Sequence, residues 1–150
     1  MRVVVTGGAG YIGSHTAALF VELGHQVVVV DDLSGGFADA VPKGAALVTA
    51  KVSAPAMRDA CERADAVVHF AGRIQVGESV TDPRKYWREN LVESLAALDA
   101  ATSAKVPTFV FSSTAAVYGT PRATPIPEEH PTDPINPYGE TKLAFERALA

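Results

Sequence analysis

Residues 2–14 read RVVVTGGAGYIGS. Arg2 to Thr6 is a β-branched apolar run, long enough for a buried strand and too short for a helix. Gly7, Gly8 and Gly10 follow, and glycine takes up backbone angles that other residues resist. From Tyr11 a helix is predicted, with Ile12, His15, Thr16, Leu19, Phe20 and Leu23 recurring three or four apart. Strand, glycine turn and helix in that order make a phosphate cradle. The amides at the helix start have no internal partner, and the helix dipole favours an anion there. In this reading Gly7 makes the tight turn, Gly10 lets backbone approach a pyrophosphate, and Gly13 lets helix and strand pack closely.

The spacing is G-x-x-G-x-x-G rather than G-x-G-x-x-G, and a glycine cluster alone also suits a tight turn that binds nothing. The next strand decides between them. Gln26 to Val30 is a second apolar run, and it ends in Asp31 and Asp32. Asp31 lies 24 residues after Gly7, near the ~20-residue offset of a carboxylate that holds adenosine ribose hydroxyls. No Lys or Arg follows until Lys43, so nothing nearby pairs with a 2′-phosphate. NAD is expected rather than NADP.

A chain of 150 residues, 47% hydrophobic and 20% charged, suffices for one globular domain with a real core. Its net charge of −4 argues against a nucleic-acid partner, which needs a basic face. No apolar run approaches the ~18 residues of a membrane span. Met1 leads straight into the first strand, so no signal peptide is expected, and with Cys61 as the only cysteine a cytoplasmic setting follows. Cys61 reads as a small packing residue. The four histidines show no metal-ligand spacing, so no metal is expected.

Along the chain, LSGGFADAVPKG reads as a loop with a short helix near Phe37 to Val41. Ala45 to Val52 is predicted as a third strand, Ala56 to Arg63 as a helix, and Ala64 to Phe70 as a fourth strand. RIQVGESVTD reads as a loop broken by Gly77. A long helix is expected from Pro83 to about Lys105, capped by Asp82, with Tyr86, Trp87, Leu91, Leu95 and Leu98 as its apolar stripe. Pro107 opens a fifth strand that runs through Ser113. Pro121 to Pro137 holds six of the ten prolines and reads as an extended surface loop. A last helix starts near Tyr138, with Pro137 at its first position. Alternating strands and helices imply a Rossmann-type, doubly wound parallel α/β sheet of order 3-2-1-4-5. The ligand crevice should lie beyond the carboxyl ends of strands one and four, with the glycine loop, Asp31, Phe70-Ala71-Gly72 and Ser112-Ser113-Thr114 around it.

Tyr138 and Lys142, in YGETK, stand four apart at a helix start and so share one face. A phenol with the ordinary pKa near 10 is a poor base at pH 7; an ammonium and a positive helix end beside it stabilise the phenolate. Such a tyrosine can take a proton from an alcohol while hydride leaves the same carbon. Thr114 offers a hydroxyl to the reacting oxygen.

The stretches TGGAGYIGSHT, DDLSGG, HFAG, VGESV, FSSTAAVYG and PYGETKLAFE closely resemble the UDP-glucose 4-epimerases, of the extended short-chain dehydrogenase/reductase family. The resemblance covers the whole chain. It implies a bound NAD, a nucleotide-sugar (UDP-hexose) substrate, Tyr138 as base and acid, Lys142 as its tuner and nicotinamide-ribose ligand, and Thr114 as the hydroxyl partner. It implies a cofactor site of Gly7, Gly10, Tyr11, Ile12 and Gly13 on the first loop, and Asp31, Asp32, Ser34 and Gly35 on the second. Lys51, Val52, Phe70, Ala71, Gly72, Arg73, Asn90 and Ser112 complete it, together with Tyr138 and Lys142. A homodimer through the 83–105 and 137–150 helices is likewise implied.

Two positions depart from the family pattern. Ala50-Lys51-Val52 stands where Gly-Asp-Ile is usual, which leaves the adenine contact of that Asp open. Arg73 follows HFAG directly, and Ile74 occupies the place of a family lysine. Members are also longer, their second half supplying the last strands and the substrate lobe, so this chain is expected to be the N-terminal portion, binding NAD weakly and turning over no sugar. Among competing readings, a 4,6-dehydratase would place an Asp-Glu pair where Ala115 and Ala116 stand. Another nucleotide-sugar epimerase or a uronate decarboxylase stays an open alternative, because the lobe that discriminates them lies outside these residues. A non-catalytic NAD-sensing module has no need of Tyr138, Lys142 and Thr114.

Overall fold

β1 (Arg2–Thr6) lies at the centre of a five-stranded parallel sheet of order β3-β2-β1-β4-β5, as the alternation of elements predicts. The computed structural model describes all of residues 1–150. β2 (Gln26–Asp31) pairs with one side of β1, Val3 opposite Val27, and β4 (Ala66–His69) with the other, Val3 opposite Ala66. β3 (Ala45–Thr49) and β5 (Phe109–Phe111) close the two edges.

The two-residue period of a strand sorts these valines into two cores. Val3, Val5, Val27, Val29 and Val68 pack on one face with Ala17, Phe20 and Val21 of α1 (Tyr11–Glu22). Val4, Val28, Val30 and Val67 pack on the other with Met57, Ala60 and Cys61 of α2 (Pro55–Cys61) and with Ala97 and Ala101 of α5 (Glu93–Ser103). Each fully buried valine contributes about 2 kcal/mol relative to exposure. A strand covered on both sides shows no polar alternation, which is why β1 reads as an unbroken valine run. Cys61 is wholly buried, and burial pushes its thiol up to about 11, as suits a packing residue.

The chain divides into two compact units: Met1–Gly72 with Ala96–Ser112, and Arg73–Leu95 with Ser113–Ala150. The first holds the sheet. The second holds α3 (Val76–Thr81), α4 (Pro83–Tyr86), a π-helical stretch Trp87–Val92 that runs into α5, a 3-10 turn Ala115–Tyr118, and α6 (Pro137–Leu149). Its interior is Tyr86, Val117, Leu143 and Phe145.

Several expected boundaries and faces need correcting. β3 ends at Thr49, not Val52, and β4 spans four residues rather than seven. RIQVGESVTD contains α3: Gly77 sits inside that helix with open space where a side chain would be, so it breaks nothing. Of the stripe assigned to α1, Phe20 packs on the core but most of the rest faces outward. Ile12, Leu19 and Leu23 are more than half exposed, while Gly13, Ser14 and Ala17 are buried, because only small residues let the helix approach the sheet closely. The Pro83–Lys105 helix starts at Pro83, and Asp82 caps it by accepting from the Lys85 amide at 3.3 Å. Tyr86, Asn90, Ser94, Ala97 and Ala101 are buried at helical spacing while Trp87 and Leu95 stay 39% exposed, so the buried stripe lies one residue round from the apolar one. No helix is long and apolar enough to cross a membrane.

Candidate active site

In the first unit, Gly7 turns the chain out of β1 with φ of +67°, and its amide donates to the Val30 carbonyl at 2.9 Å. A Cβ there would lie 2.6 Å from the Ala71 amide nitrogen, so the turn presses on the end of β4. A Cβ on Gly13 would collide with the Gly7 carbonyl oxygen and the Gly8 backbone. On Gly10 it would meet only the Gly7 oxygen, at 3.3 Å, and otherwise project into open space. The first helical bond of α1 is from the Ser14 amide to the Gly10 carbonyl, which leaves the preceding amides of Tyr11, Ile12 and Gly13 to point past the helix end. Tyr11 and Ile12 are exposed there. This geometry fits a diphosphate.

Asp31 is buried, and its carboxylate holds the loops around it. Oδ2 accepts from the Ala9 amide at 3.0 Å, inside the glycine turn, and Oδ1 from the Leu33 amide at 2.8 Å. That second bond supports Leu33 at φ 60°, a left-handed conformation costing a branched residue about 1–2 kcal/mol. Asp32 accepts from the Ser34 amide at 2.9 Å, and Ser34 and Gly35 are exposed. Gly36, absent from the residues singled out above, lies against Ala9; a Cβ would come within 2.6 Å of its carbonyl carbon. Lys51 is exposed in the turn after β3, whereas the Val52 side chain belongs to the core.

At the end of β4 the Phe70 amide donates to the Thr6 carbonyl at 3.0 Å, the Ala71 amide reaches the Thr6 hydroxyl at 3.5 Å, and Gly72 follows, exposed. The fully buried His69 shares a 2.6 Å hydrogen bond with that hydroxyl through Nδ1 and lies against the rings of Phe109 and Phe111. The Ser112 amide donates to the His69 carbonyl at 3.1 Å.

In the second unit, α6 begins at Pro137, with Asn136 as its cap; Asn136 Oδ1 accepts from the Gly139 amide at 2.9 Å. An Asn directly before a helix-opening proline is the sequence signal for such a cap. Tyr138 therefore stands in the first turn, at the positive end, 9% exposed. Lys142, one turn on, is 5% exposed, and burial pushes its ammonium down to about 8. The Thr114 hydroxyl accepts from the Ala116 amide at 3.2 Å, capping the 3-10 turn. Gly139 packs on that turn; a Cβ would lie 2.6 Å from the Ala116 oxygen. Glycine between Tyr138 and Lys142 thus lets α6 approach the segment that carries Thr114. The hydroxyl of neighbouring Ser113 donates to Glu146 of α6.

Asn90, expected near the cofactor, is 2% exposed and spends its amide on Arg73. Oδ1 accepts from the Arg73 amide at 2.7 Å, and Nδ2 donates to the Arg73 carbonyl at 3.0 Å and to the Thr141 hydroxyl at 3.4 Å. The Arg73 side chain pairs with Glu89 at 2.5 Å. Ile74, in the place of the family lysine, is 73% exposed.

The chain is 48% identical to the UDP-glucose 4-epimerase of Azospirillum brasilense over 99% of its own length and 43% of the relative's. It superposes on the UDP-glucose 4-epimerase of Brucella ovis in complex with NAD with a TM-score of 0.95 at 43% identity, covering 99% of this chain and 46% of that one. Against the Bifidobacterium longum enzyme, in complex with NAD+ and UDP, the TM-score is 0.92 at 38% identity, over 99% and 48% of the two chains. The chain spans less than half the length of these relatives. A profile of the NAD dependent epimerase/dehydratase family matches residues 3–150, and the chain belongs to that family.

Proposed function

We propose that this chain is the N-terminal part of an NAD-dependent nucleotide-sugar 4-epimerase acting on UDP-glucose and UDP-galactose. The observation that carries the reading is the pair Tyr138 and Lys142, both buried and one turn apart at the capped start of α6.

Gly7, Gly10, Tyr11, Ile12 and Gly13 would hold the diphosphate of NAD on backbone amides, and Asp31 its adenosine ribose. Bound there, NAD supplies a reversible hydride acceptor. Tyr138 takes the proton from the sugar hydroxyl as that carbon is oxidised and returns it on reduction. The Lys142 ammonium stabilises the phenolate so formed, and the start of α6 adds its positive end. The Thr114 hydroxyl donates to the reacting oxygen; its bond to the Ala116 amide uses its lone pair and leaves its proton for that task.

The matched relatives carry as much chain again beyond the shared part, so residues 1–150 by themselves are expected to bind NAD weakly and interconvert no UDP-hexose. Trp87, Val92 and Leu95, 39–58% exposed, support pairing of two copies through the first long helix. On α6 the large apolar residues Leu143 and Phe145 are buried, which leaves that helix less to offer. A cytoplasmic location suits the single buried thiol.

Tyr138→Phe in the full-length protein tests the central assignment. NAD stays bound, and UDP-galactose conversion falls by about 100-fold or more. A variant that turns over like the wild type would overturn the reading.

A further inference from the structure

Tyr86 lies on α4 with none of its surface exposed. Its hydroxyl stands 2.7 Å from the Gln75 carbonyl oxygen and 2.9 Å from Glu78 Oε2, two acceptors for one proton. Glu78 is itself held through Oε1 by the Lys85 ammonium at 2.6 Å. The Tyr86 ring meets the Tyr138 ring edge-on, with centroids 6.4 Å apart and planes at 87°. Such a pair is directional, worth about 0.5–1.5 kcal/mol beyond its buried area, and it resists rotation of either ring.

A packing residue needs only the ring. Here a hydroxyl is buried as well, its one proton shared between two acceptors, which fixes the direction in which the ring points and its depth in the unit. Burial, then the Glu78 carboxylate, pushes the Tyr86 phenol up to about 12. It therefore stays protonated where Tyr138 must exchange its proton, and it does not compete as a second base. Glu78 stays ionised, its carboxyl held below the usual range by its bonds to Lys85 and Tyr86.

We propose that Tyr86 is a positioning residue for Tyr138: anchored by its hydroxyl to Gln75 and Glu78, its ring sets the angle at which the Tyr138 phenol meets the sugar hydroxyl. This rests on the reading of Tyr138 as the proton-transfer group. Proton transfer in the transition state is sensitive to such angles, and binding of the substrate is not.

The test compares Tyr86→Leu, Tyr86→Phe and Glu78→Gln with wild type in the full-length protein, with kcat expressed per mole of bound NAD. Tyr86→Leu lowers kcat about tenfold with KM held within about twofold, and Tyr86→Phe, which keeps the ring, recovers it to within about threefold. If Tyr86→Leu fails to fold, Glu78→Gln serves, because it weakens the anchor and leaves the ring; kcat then falls about threefold at unchanged KM. A purely structural role would reduce the yield of loaded protein and leave kcat per bound NAD unchanged, and that result overturns the inference. Tyr138→Phe separates the two failures. If it retains turnover, the assignment of Tyr138 is wrong; if it is inactive while the Tyr86 and Glu78 variants match wild type, the positioning role alone is wrong.

Discussion

Lys142→Met should make the protein more stable and less active, and both effects follow from the burial of one ammonium. Lys142 is 5% exposed, and burial lowers its pKa from the ordinary 10.5 to about 8. At about 1.4 kcal/mol for each tenfold change in proton affinity, the folded state bears about 3 kcal/mol for keeping that charge. Between about 8 and 10.5 the unfolded chain holds the proton and the folded chain has released it, so wild-type stability rises with pH across that window. Below about 8 the cost is present in full. Methionine has similar length and no charge, so the variant should gain up to about 3 kcal/mol at pH 7 and under about 1 kcal/mol at pH 10. If Lys142 stabilises the Tyr138 phenolate as proposed, turnover of the full-length protein should fall by about 100-fold or more. Urea unfolding of both proteins at the two pH values, without NAD, reads the margin directly. A methionine variant less stable than wild type at pH 7, or an equal margin at both pH values, would refute the reasoning.

Gly13→Ala reverses the usual rule. Elsewhere in a helix this exchange stabilises by about 1 kcal/mol, but here the new methyl meets the Gly7 oxygen and lies 2.8 Å from Gly8 Cα, both backbone of the turn. A loss of about 1–3 kcal/mol in thermal unfolding and weaker NAD binding by titration are expected; an alanine variant that is more stable and binds normally would count against the packed turn. Lys51→Asp restores the carboxylate that the family places after β3, at an exposed position. NAD affinity should tighten about fivefold, the worth of one hydrogen bond, at an unchanged melting temperature; calorimetric titration showing equal or weaker binding would remove that contact from the adenine site.

Much of the fold was legible because a parallel sheet covered on both faces asks only for consecutive β-branched residues, and β1 and β2 supply them. The order of the strands followed from handedness rules that need no side-chain detail. Faces of helices were harder. In α1 Ile12, Leu19 and Leu23 pointed outward, since what decided the buried face was close approach, and closeness selects Gly13, Ser14 and Ala17. In the Pro83–Lys105 helix the buried stripe keeps the helical period but runs one residue round from Trp87 and Leu95, through Asn90 and Ser94. Two of its buried residues, Asn90 and Ser94, are polar. Hydropathy could not point to them.

The site divides along the same line. Glycines at a turn, a carboxylate after β2 and Tyr138 with Lys142 are local patterns, and each was readable within a few residues. What escaped was the set of groups that hold them: Gly36 against Ala9, Gly139 against Ala116, Asn136 capping α6 and Tyr86 beside Tyr138. All but the cap join segments distant in sequence, and no spacing rule reports such a contact. Asp31 shows why the distinction matters. Read from its offset it is a ribose ligand, yet both of its oxygens already accept backbone amides, from Ala9 and Leu33. Each carboxylate oxygen has a second lone pair, so a ribose hydroxyl can still be received. The same carboxylate then ties the glycine turn to the loop after β2 before any dinucleotide arrives. Binding to a cradle already shaped loses less conformational entropy than binding to one that must form. Asp31→Asn keeps one acceptor oxygen but sets an NH2 against an amide donor. It should therefore weaken the empty cradle as well as the ribose contact, a double loss that the motif alone would not foretell.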